Sequence, residues 1–257
     1  MEEAKETGNR IKVAAGTEPV IRVRNARKSF GAQEVLKDIS LEVNKGENLV
    51  ILGRSGTGKS VLIKCLVGLL DADEGELNIL GREIGRLRAK ELNELRKKIG
   101  FMFQGGALYD SMTVEENLAF PLRENRGLKR SAVREMVQEA LENVGLADAI
   151  HKMPSELSGG MQKRIGLARA MIQKPEIMFY DEPTSGLDTI TAREINHLIM
   201  DMQKKHATSS VLITHDIECA RMTANRMLVL RDGRCEAEGT FEELRHSDNK
   251  WIRSFFE

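Results

Sequence analysis

Only three cysteines occur in the 257 residues, Cys65, Cys219 and Cys235, and no two of them stand in a CxxC or Cys/His ligand spacing. That excludes a disulfide framework and fits buried or half-buried thiols in a reducing compartment. Net charge is missing too: 39 Lys and Arg offset 39 Asp and Glu. No global field therefore recruits nucleic acid or an anionic membrane, and no nucleic-acid partner is expected. No apolar run approaches the roughly 18 residues that a bilayer span requires, so any membrane role has to come through a partner. The opening residues, MEEAKETGNRIKVAAGTEP, begin polar and acidic. They read as a flexible lead-in over 1–18 and not as a signal peptide. Repeats of 20 to 50 residues and low-complexity linkers are absent as well. What remains is one large soluble domain, long enough to bury a sizeable core.

Short apolar runs ending in Gly, Asp or His alternate with helical patterns, which predicts a mostly parallel sheet covered by helices. Val20–Val23 and Ile39–Val43 alternate apolar and polar residues and suit a half-exposed antiparallel edge. NLVILG (48–53), EIMFYDEP (176–183) and SVLITHD (210–216) read as buried strands. Ligand sites of open α/β sheets gather at the carboxyl ends of strands, so Gly53, Asp181 and His215 are expected to share one site. Between about Gly105 and Gly160 the pattern turns helical. Val133, Met136, Val137, Ala140, Leu141 and Val144 form a stripe on one helix face, and Gly145 supplies the stop. LVLRDGRCEAEG (228–239) reads as a hairpin about Asp-Gly.

GRSGTGKS (53–60) satisfies GxxxxGK[ST] at every position, between an apolar strand and the helical VLIKCLVGLL. The glycines let successive N–H groups curl around phosphates. Lys59 then reaches the β- and γ-phosphates, and the Ser60 hydroxyl takes a place on Mg²⁺. IMFYDE ends a buried strand in two carboxylates: Asp181 suits the metal's water shell, and Glu182 suits alignment of an attacking water. His215 is placed for a γ-phosphate contact. Gln104, in FMFQGG, offers a neutral amide that can touch both metal and water. SELSGGMQKR (155–164) looks like half of a second phosphate site, a Ser-capped helix start with no following Gly-Lys-Ser.

Together these residues resemble the ATP-binding cassette (ABC) ATPases over roughly Val20 to Thr240. The resemblance implies an α/β P-loop NTPase fold with an antiparallel β edge and an inserted α-helical subdomain. It implies a domain over 19–240, with the helical part at about 105–163, and a C-terminal helical tail over 241–257. ATP and Mg²⁺ are the implied cofactors. The Walker A segment, Gly53, Arg54, Ser55, Gly56, Thr57, Gly58, Lys59, Ser60 and Val61, would bind ATP, with Phe30 stacking on adenine. Asp181 would hold Mg²⁺ through water beside Ser60 and Gln104; Glu182 and His215 would be catalytic. LSGGM corresponds to the family's signature, so Leu157, Ser158, Gly159, Gly160 and Met161 would meet ATP held by a second copy of the chain, packed head to tail. Asp188, in SGLD, would couple the two sites across that interface.

GALYDSMTVEEN after Gln104, Met161, and HDIECARMTANRM are similar to the ATPases of Mla/Mce phospholipid transporters. Thr189 departs from the Pro that many relatives carry. That branch implies a membrane permease, an Mce-domain lipid-binding subunit and a small accessory subunit as partners. It also implies a peripheral location on the cytoplasmic face of the inner membrane. The alternative is a cassette for a polar solute such as an amino acid. A chromosome-type ATPase is disfavoured because only 53 residues separate Gln104 from Ser158, too few for coiled-coil arms. A translation-type protein is disfavoured by the single Walker A, and a non-hydrolysing switch by Glu182. Leu108 and Tyr109 either approach a permease helix or pack the helical subdomain. Trp251, Phe255 and Phe256 dock on their own domain or, as a second possibility, on the partner copy.

Overall fold

The computed structural model describes residues 18–123 and 127–257; of the expected lead-in, 1–17 lie outside the described residues. The chain opens with β1 (Ile21–Phe30) and β2 (Gln33–Val43), paired antiparallel. Both are longer than their alternating cores suggest, because irregularities between Val23 and Ala26 and at Lys28 let pairing continue to Phe30. There follow β3 (Asn48–Leu52), α1 (Lys59–Leu66), β4 (Glu74–Ile79), β5 (Arg82–Glu83), α2 (Ala89–Arg96) and β6 (Ile99–Met102). A helical stretch holds α3 (Val114–Ala119), α4 (Arg130–Asn143) and α5 (Gly159–Met171). The chain then alternates through β7 (Ile177–Asp181), α6 (Thr189–His206), β8 (Ser209–Thr214), α7 (Ile217–Thr223), β9 (Arg226–Arg231) and β10 (Arg234–Gly239). It ends in α8 (Phe241–Arg245) and α9 (Lys250–Arg253).

Two sheets result. One is antiparallel, in the order β2-β1-β4-β5; the other runs β10-β9-β3-β8-β7-β6, parallel except for the β9–β10 hairpin. At the hairpin turn Asp232 and Gly233 both take positive φ, 47° and 79°, the conformation a two-residue turn requires. β3 and β8 are buried at every position, as befits central parallel strands covered on both faces.

Three apolar clusters hold these layers. The first lies between the two sheets: Leu36, Ile39, Ile51, Ile63, Phe179 and Ile213 belong to it and none is accessible. The second covers the other face of the parallel sheet, joining Val50, Tyr180, Leu212 and Val229 to residues of α5, α6 and α7. The third sits in the helical stretch, where Val137, Ala140, Leu141 and Val144 are buried against Val114, Leu118 and Ile165, with Val133 and Met136 at its margin. Gly145 follows with φ 67°, so the chain leaves α4 where glycine alone is unstrained.

One boundary differs from expectation. α5 runs unbroken to Met171 across the expected limit near 163, because its faces serve two cores: Ile165 and Ala168 face the helical cluster, Leu167 and Met171 the sheet. The C-terminal tail takes the first of its two expected placements. Ile252 is fully buried in the second cluster, and Phe241, Trp251, Phe255 and Phe256 pack against it. Edge-on ring pairs, Phe241–Phe256 and Trp251–Phe255, and Arg231 at 4.5 Å over Trp251 hold it there. The tail docks on its own domain.

Candidate active site

Sheet register assembles the site. β3 pairs Leu52 with Thr214, β8 pairs Ile213 with Asp181, and β7 pairs Tyr180 with Met102. Four neighbouring strands thus end level, and the residues that follow them share one rim. Beyond it lies a cleft of about 330 Å³ lined by Val35, Ser55, Gly56, Gly58, Lys59, Ser60, Val61, Gln104, Asp181, Glu182 and His215.

The loop before α1 is shaped by glycine. Gly56 and Gly58 have φ 81° and 99°, and a Cβ on Gly58 would stand 2.9 Å from Leu36 Cδ2 and 3.0 Å from the Val35 carbonyl. A Cβ on Gly53 would stand 2.7 Å from the Thr57 hydroxyl and 2.8 Å from the Leu230 carbonyl. Such a loop turns its backbone N–H groups inward and begins a helix, a combination suited to phosphate. Lys59 is buried, its ammonium donating to the carbonyls of Gly53 (2.6 Å) and Arg54 (3.1 Å) and lying 3.9 Å from Glu182 Oε1. Burial lowers its pKa, against the pull of the Glu182 and Asp181 carboxylates.

Asp181 Oδ1 accepts from the Ser60 hydroxyl at 3.4 Å. Burial, then the charge of Glu182, raises its pKa; Ser60, Lys64 and Lys59 act the other way. A half-buried carboxylate, the Ser60 hydroxyl and the Gln104 amide, lining one cleft, form a set of hard oxygen donors. That set fits Mg²⁺ shared with phosphate oxygens better than a softer metal. Among the described residues no group of three or more His, Cys, Asp or Glu is placed to hold a metal by itself.

Glu182 adopts φ 49°, a left-handed conformation unusual for a residue with a long side chain. Its Oε2 accepts from the Thr214 hydroxyl (3.3 Å) and the His215 backbone N–H (3.4 Å), and lies 2.9 Å from His215 Nδ1. A carboxylate so fixed at the cleft wall can orient a water or take its proton.

Other expected residues lie elsewhere. Phe30 closes β1 outside the cleft lining, its ring 48% exposed, with Lys28 Nζ 5.6 Å from the ring centre. Arg54 and Thr57 belong to the loop but do not line the cleft. Ser158 caps α5, accepting from the Met161 N–H at 3.3 Å, and Ser158 and Gly159 are exposed. The Leu157 side chain is buried in the helical core, and that of Met161, partly buried, packs against it. Asp188 caps α6, accepting from the N–H groups of Ile190 and Thr191 and from the Thr191 hydroxyl. These hydrogen bonds hold its carboxyl below the usual range. The two capped helix starts touch: a Cβ on Gly160 would meet Thr191 Cγ2 at 2.6 Å.

Three contributors escape sequence reading. Val35 is apolar, Thr214 reads as the last residue of a buried strand although its hydroxyl donates to Glu182, and Lys163 looks like any helix lysine until its burial is seen.

Residues 36–185 match the family model described as ABC transporter. The chain belongs to the ABC transporter ATPase family. It is 42% identical over 235 residues to the probable ribonucleotide transport ATP-binding protein mkl of Mycobacterium leprae, covering 91% of this chain and 68% of that one. It is 45% identical over 226 residues to the methionine import ATP-binding protein MetN of Rhizobium johnstonii, covering 88% and 62%. With the intermembrane phospholipid transport system ATP-binding protein MlaF of Haemophilus influenzae it shares 37% over 236 residues, covering 92% and 89%. The chain thus spans only about two thirds of the mkl and MetN lengths. A solved structure titled as the dimeric, post-hydrolysis state of the ATP-binding cassette MJ0796 bound to ADP and Pi superposes with a TM-score of 0.78 at 33% identity, covering 86% and 98%. The ABC ATPase fold and ATP hydrolysis as the reaction class follow from these matches.

Proposed function

We propose that this ABC ATPase drives phospholipid transport, working as a head-to-tail dimer on a membrane permease. The observation that carries the dimer is an incomplete site. Lys59, Ser60, Gln104, Asp181, Glu182 and His215 converge on one cleft, while the capped, glycine-exposing start of α5 does not line it. In a head-to-tail pair, Ser158 and Gly159 of each copy donate to phosphate held by the other's loop; similarity to a dimeric cassette supports the pairing itself.

Within the cleft, Lys59 leaves the carbonyls of Gly53 and Arg54 for the β- and γ-phosphates. Ser60 and Gln104, with Asp181 through water, would hold Mg²⁺, which when bound would screen phosphate charge. Glu182 aligns the attacking water, and His215 steadies both that carboxylate and the departing γ-phosphate. Phe30 stacks on adenine from the end of β1, and Asp188 holds the neighbouring α6 start against the signature segment.

Phospholipid as cargo is supported by the match to MlaF, which spans nearly the whole of both chains. On that reading an Mce-domain subunit and a small accessory subunit complete the assembly. A polar solute is the second reading, supported by the higher identities to MetN and mkl. No helix among the described residues is long and apolar enough to cross a membrane, so the chain reaches the inner face through the permease. Its docking site is the groove of about 420 Å³ lined by Arg96, Phe120, Arg123 and Gln173 among others, beside exposed Tyr109. Leu108 faces the helical core and contributes packing instead.

The test is reconstitution with the co-purifying permease in phospholipid nanodiscs. Movement of labelled phospholipid dependent on ATP, unaffected by methionine or ribonucleotides, is the expected result. Stimulation by either solute without lipid movement would overturn the lipid reading.

A further inference from the structure

Lys163 sits in the second turn of α5, 6% exposed, and does not line the cleft. Its ammonium nevertheless donates to two main-chain carbonyls of residues that do, Gln104 and Glu182, the latter at 3.3 Å. Burial lowers its pKa while the charges of Glu182 and Asp181 raise it, so the cation is buried with electrostatic compensation from the catalytic end of β7.

What it holds is the strained part of the site. With φ 49°, Glu182 needs its backbone over-determined to keep that conformation. Its N–H donates to Ile213 (2.9 Å), and its carbonyl accepts from Ser185 N–H (3.2 Å) as well as from Lys163. Of these three ties, the one from Lys163 comes from a helix. The same face of α5 continues the attachment at spacings of three. A Cβ on Gly166 would stand 2.9 Å from Gly106 Cα, and Arg169 donates to the Gly106 carbonyl at 3.1 Å. About two turns of α5 are thereby fastened to the segment that carries Gln104.

We propose that Lys163 is a positioning residue for hydrolysis. Its ammonium fixes the main chain of Gln104 and Glu182 relative to α5, so that contact of a partner copy's nucleotide with Ser158 and Gly159 is passed along α5 to the water-aligning groups of this copy's own cleft. A lysine suits the task because three donors on a compact ammonium can serve two convergent carbonyls at once. The inference rests on the head-to-tail ATPase reading above.

Lys163→Met keeps the length and removes every donor. The expected result is a kcat lowered on the order of 10- to 100-fold, with KM for ATP changed by no more than about twofold. ATP-driven dimerisation in a Glu182→Gln background should persist. Lys163→Gln, whose shorter amide serves one carbonyl at a time, should fall between the two. Wild-type kcat in Lys163→Met overturns the proposal, and so does a rate loss matched by equal losses of ATP affinity and dimerisation, the mark of a folding role. Should Lys163→Met fail to fold, Lys163→Gln decides alone: reduced kcat at unchanged KM supports the proposal, and unchanged kcat overturns it. Glu182→Gln measured alongside separates the two levels. Full turnover in Glu182→Gln defeats the reading of the cleft itself. An inactive Glu182→Gln beside a fully active Lys163→Met defeats only the role of Lys163.

Discussion

His215 places its Nδ1 2.9 Å from Oε2 of Glu182, joining an imidazole that is 62% exposed to a carboxylate that is 13% exposed. The pair spans the boundary between buried strand ends and open cleft, where a water must be both admitted and aligned. Replacing Glu182 by Gln keeps shape and hydrogen bonding while removing the acceptor charge. Turnover should fall on the order of 10²- to 10⁴-fold, while ATP binding and ATP-driven dimerisation persist. Single-turnover hydrolysis beside equilibrium nucleotide binding checks this, and wild-type hydrolysis would remove Glu182 from its assigned role.

Lys59 acts earlier, in binding. Its ammonium is already desolvated and poised on the loop carbonyls of Gly53 and Arg54, so phosphate contacts replace existing hydrogen bonds without first stripping water. Lys59→Ala should weaken ATP binding by about 10- to 100-fold, the worth of one or two charge-assisted hydrogen bonds. A fluorescent-nucleotide titration measures it; unaltered affinity would contradict the placement of phosphate at this loop.

Asp181 gives a pH-dependent test. Burial and the neighbouring Glu182 raise its pKa in the folded chain, so the native state binds that proton more tightly than the unfolded chain does. Stability contributed by this proton is present at low pH and is lost as pH rises through the carboxylate range toward the raised value. Above that range the nucleotide-free protein carries a half-buried charge that Ser60, Lys64 and Lys59 offset only in part. Asp181→Asn should therefore melt higher than wild type at neutral pH without nucleotide, the gap closing on acidification, while Mg²⁺-dependent ATPase is lost. A neutral-pH melting temperature below wild type would refute the electrostatic account.

Much of this site is legible in the sequence. GRSGTGKS, IMFYDE and the His of THD each follow a continuous apolar run, and side-by-side parallel strands leave them on one edge. The α4 stripe and its Gly145 stop are equally plain, since period and terminator agree. What escapes is everything fixed by tertiary contact. The dual-faced α5 gives no periodic break at 163, and the αL backbone of Glu182 follows from its surroundings, not its residue type. The burial of Lys163 depends on carbonyls 59 and 19 residues away in sequence. Ser158 reads as a helix cap in the sequence already; the structure adds that Asp188 caps α6 too, and that both side chains are engaged.

That engagement sharpens the signature prediction. Gly159 is exposed at the start of α5, and a Cβ there would meet nothing nearer than Leu187 Cδ2 at 3.8 Å. A side chain is thus tolerated by the fold at this position, unlike at Gly160, where Thr191 stands in the way. Gly159→Asp should fold and bind ATP as a monomer, yet place a negative charge against the partner's phosphates and abolish ATP-driven dimerisation. Size-exclusion chromatography in a Glu182→Gln background reads this directly; dimers at wild-type ATP concentrations would sink the head-to-tail arrangement.

The tail provides the last test, because its packing assigns it to stability and away from the dimer. Ile252 is wholly buried against the sheet core, whereas Trp251 is only half-buried and is covered on one side by Arg231. Ile252→Ala removes buried methylenes and should cost about 2–5 kcal/mol in denaturant unfolding. Trp251→Ala should cost less, since part of that ring already meets solvent. Both variants, studied where they remain folded, should dimerise with ATP as the parent does, because each side chain packs within its own copy. Impaired dimerisation at unchanged stability would instead place the tail at the interface, and the separation of these two readouts decides between them.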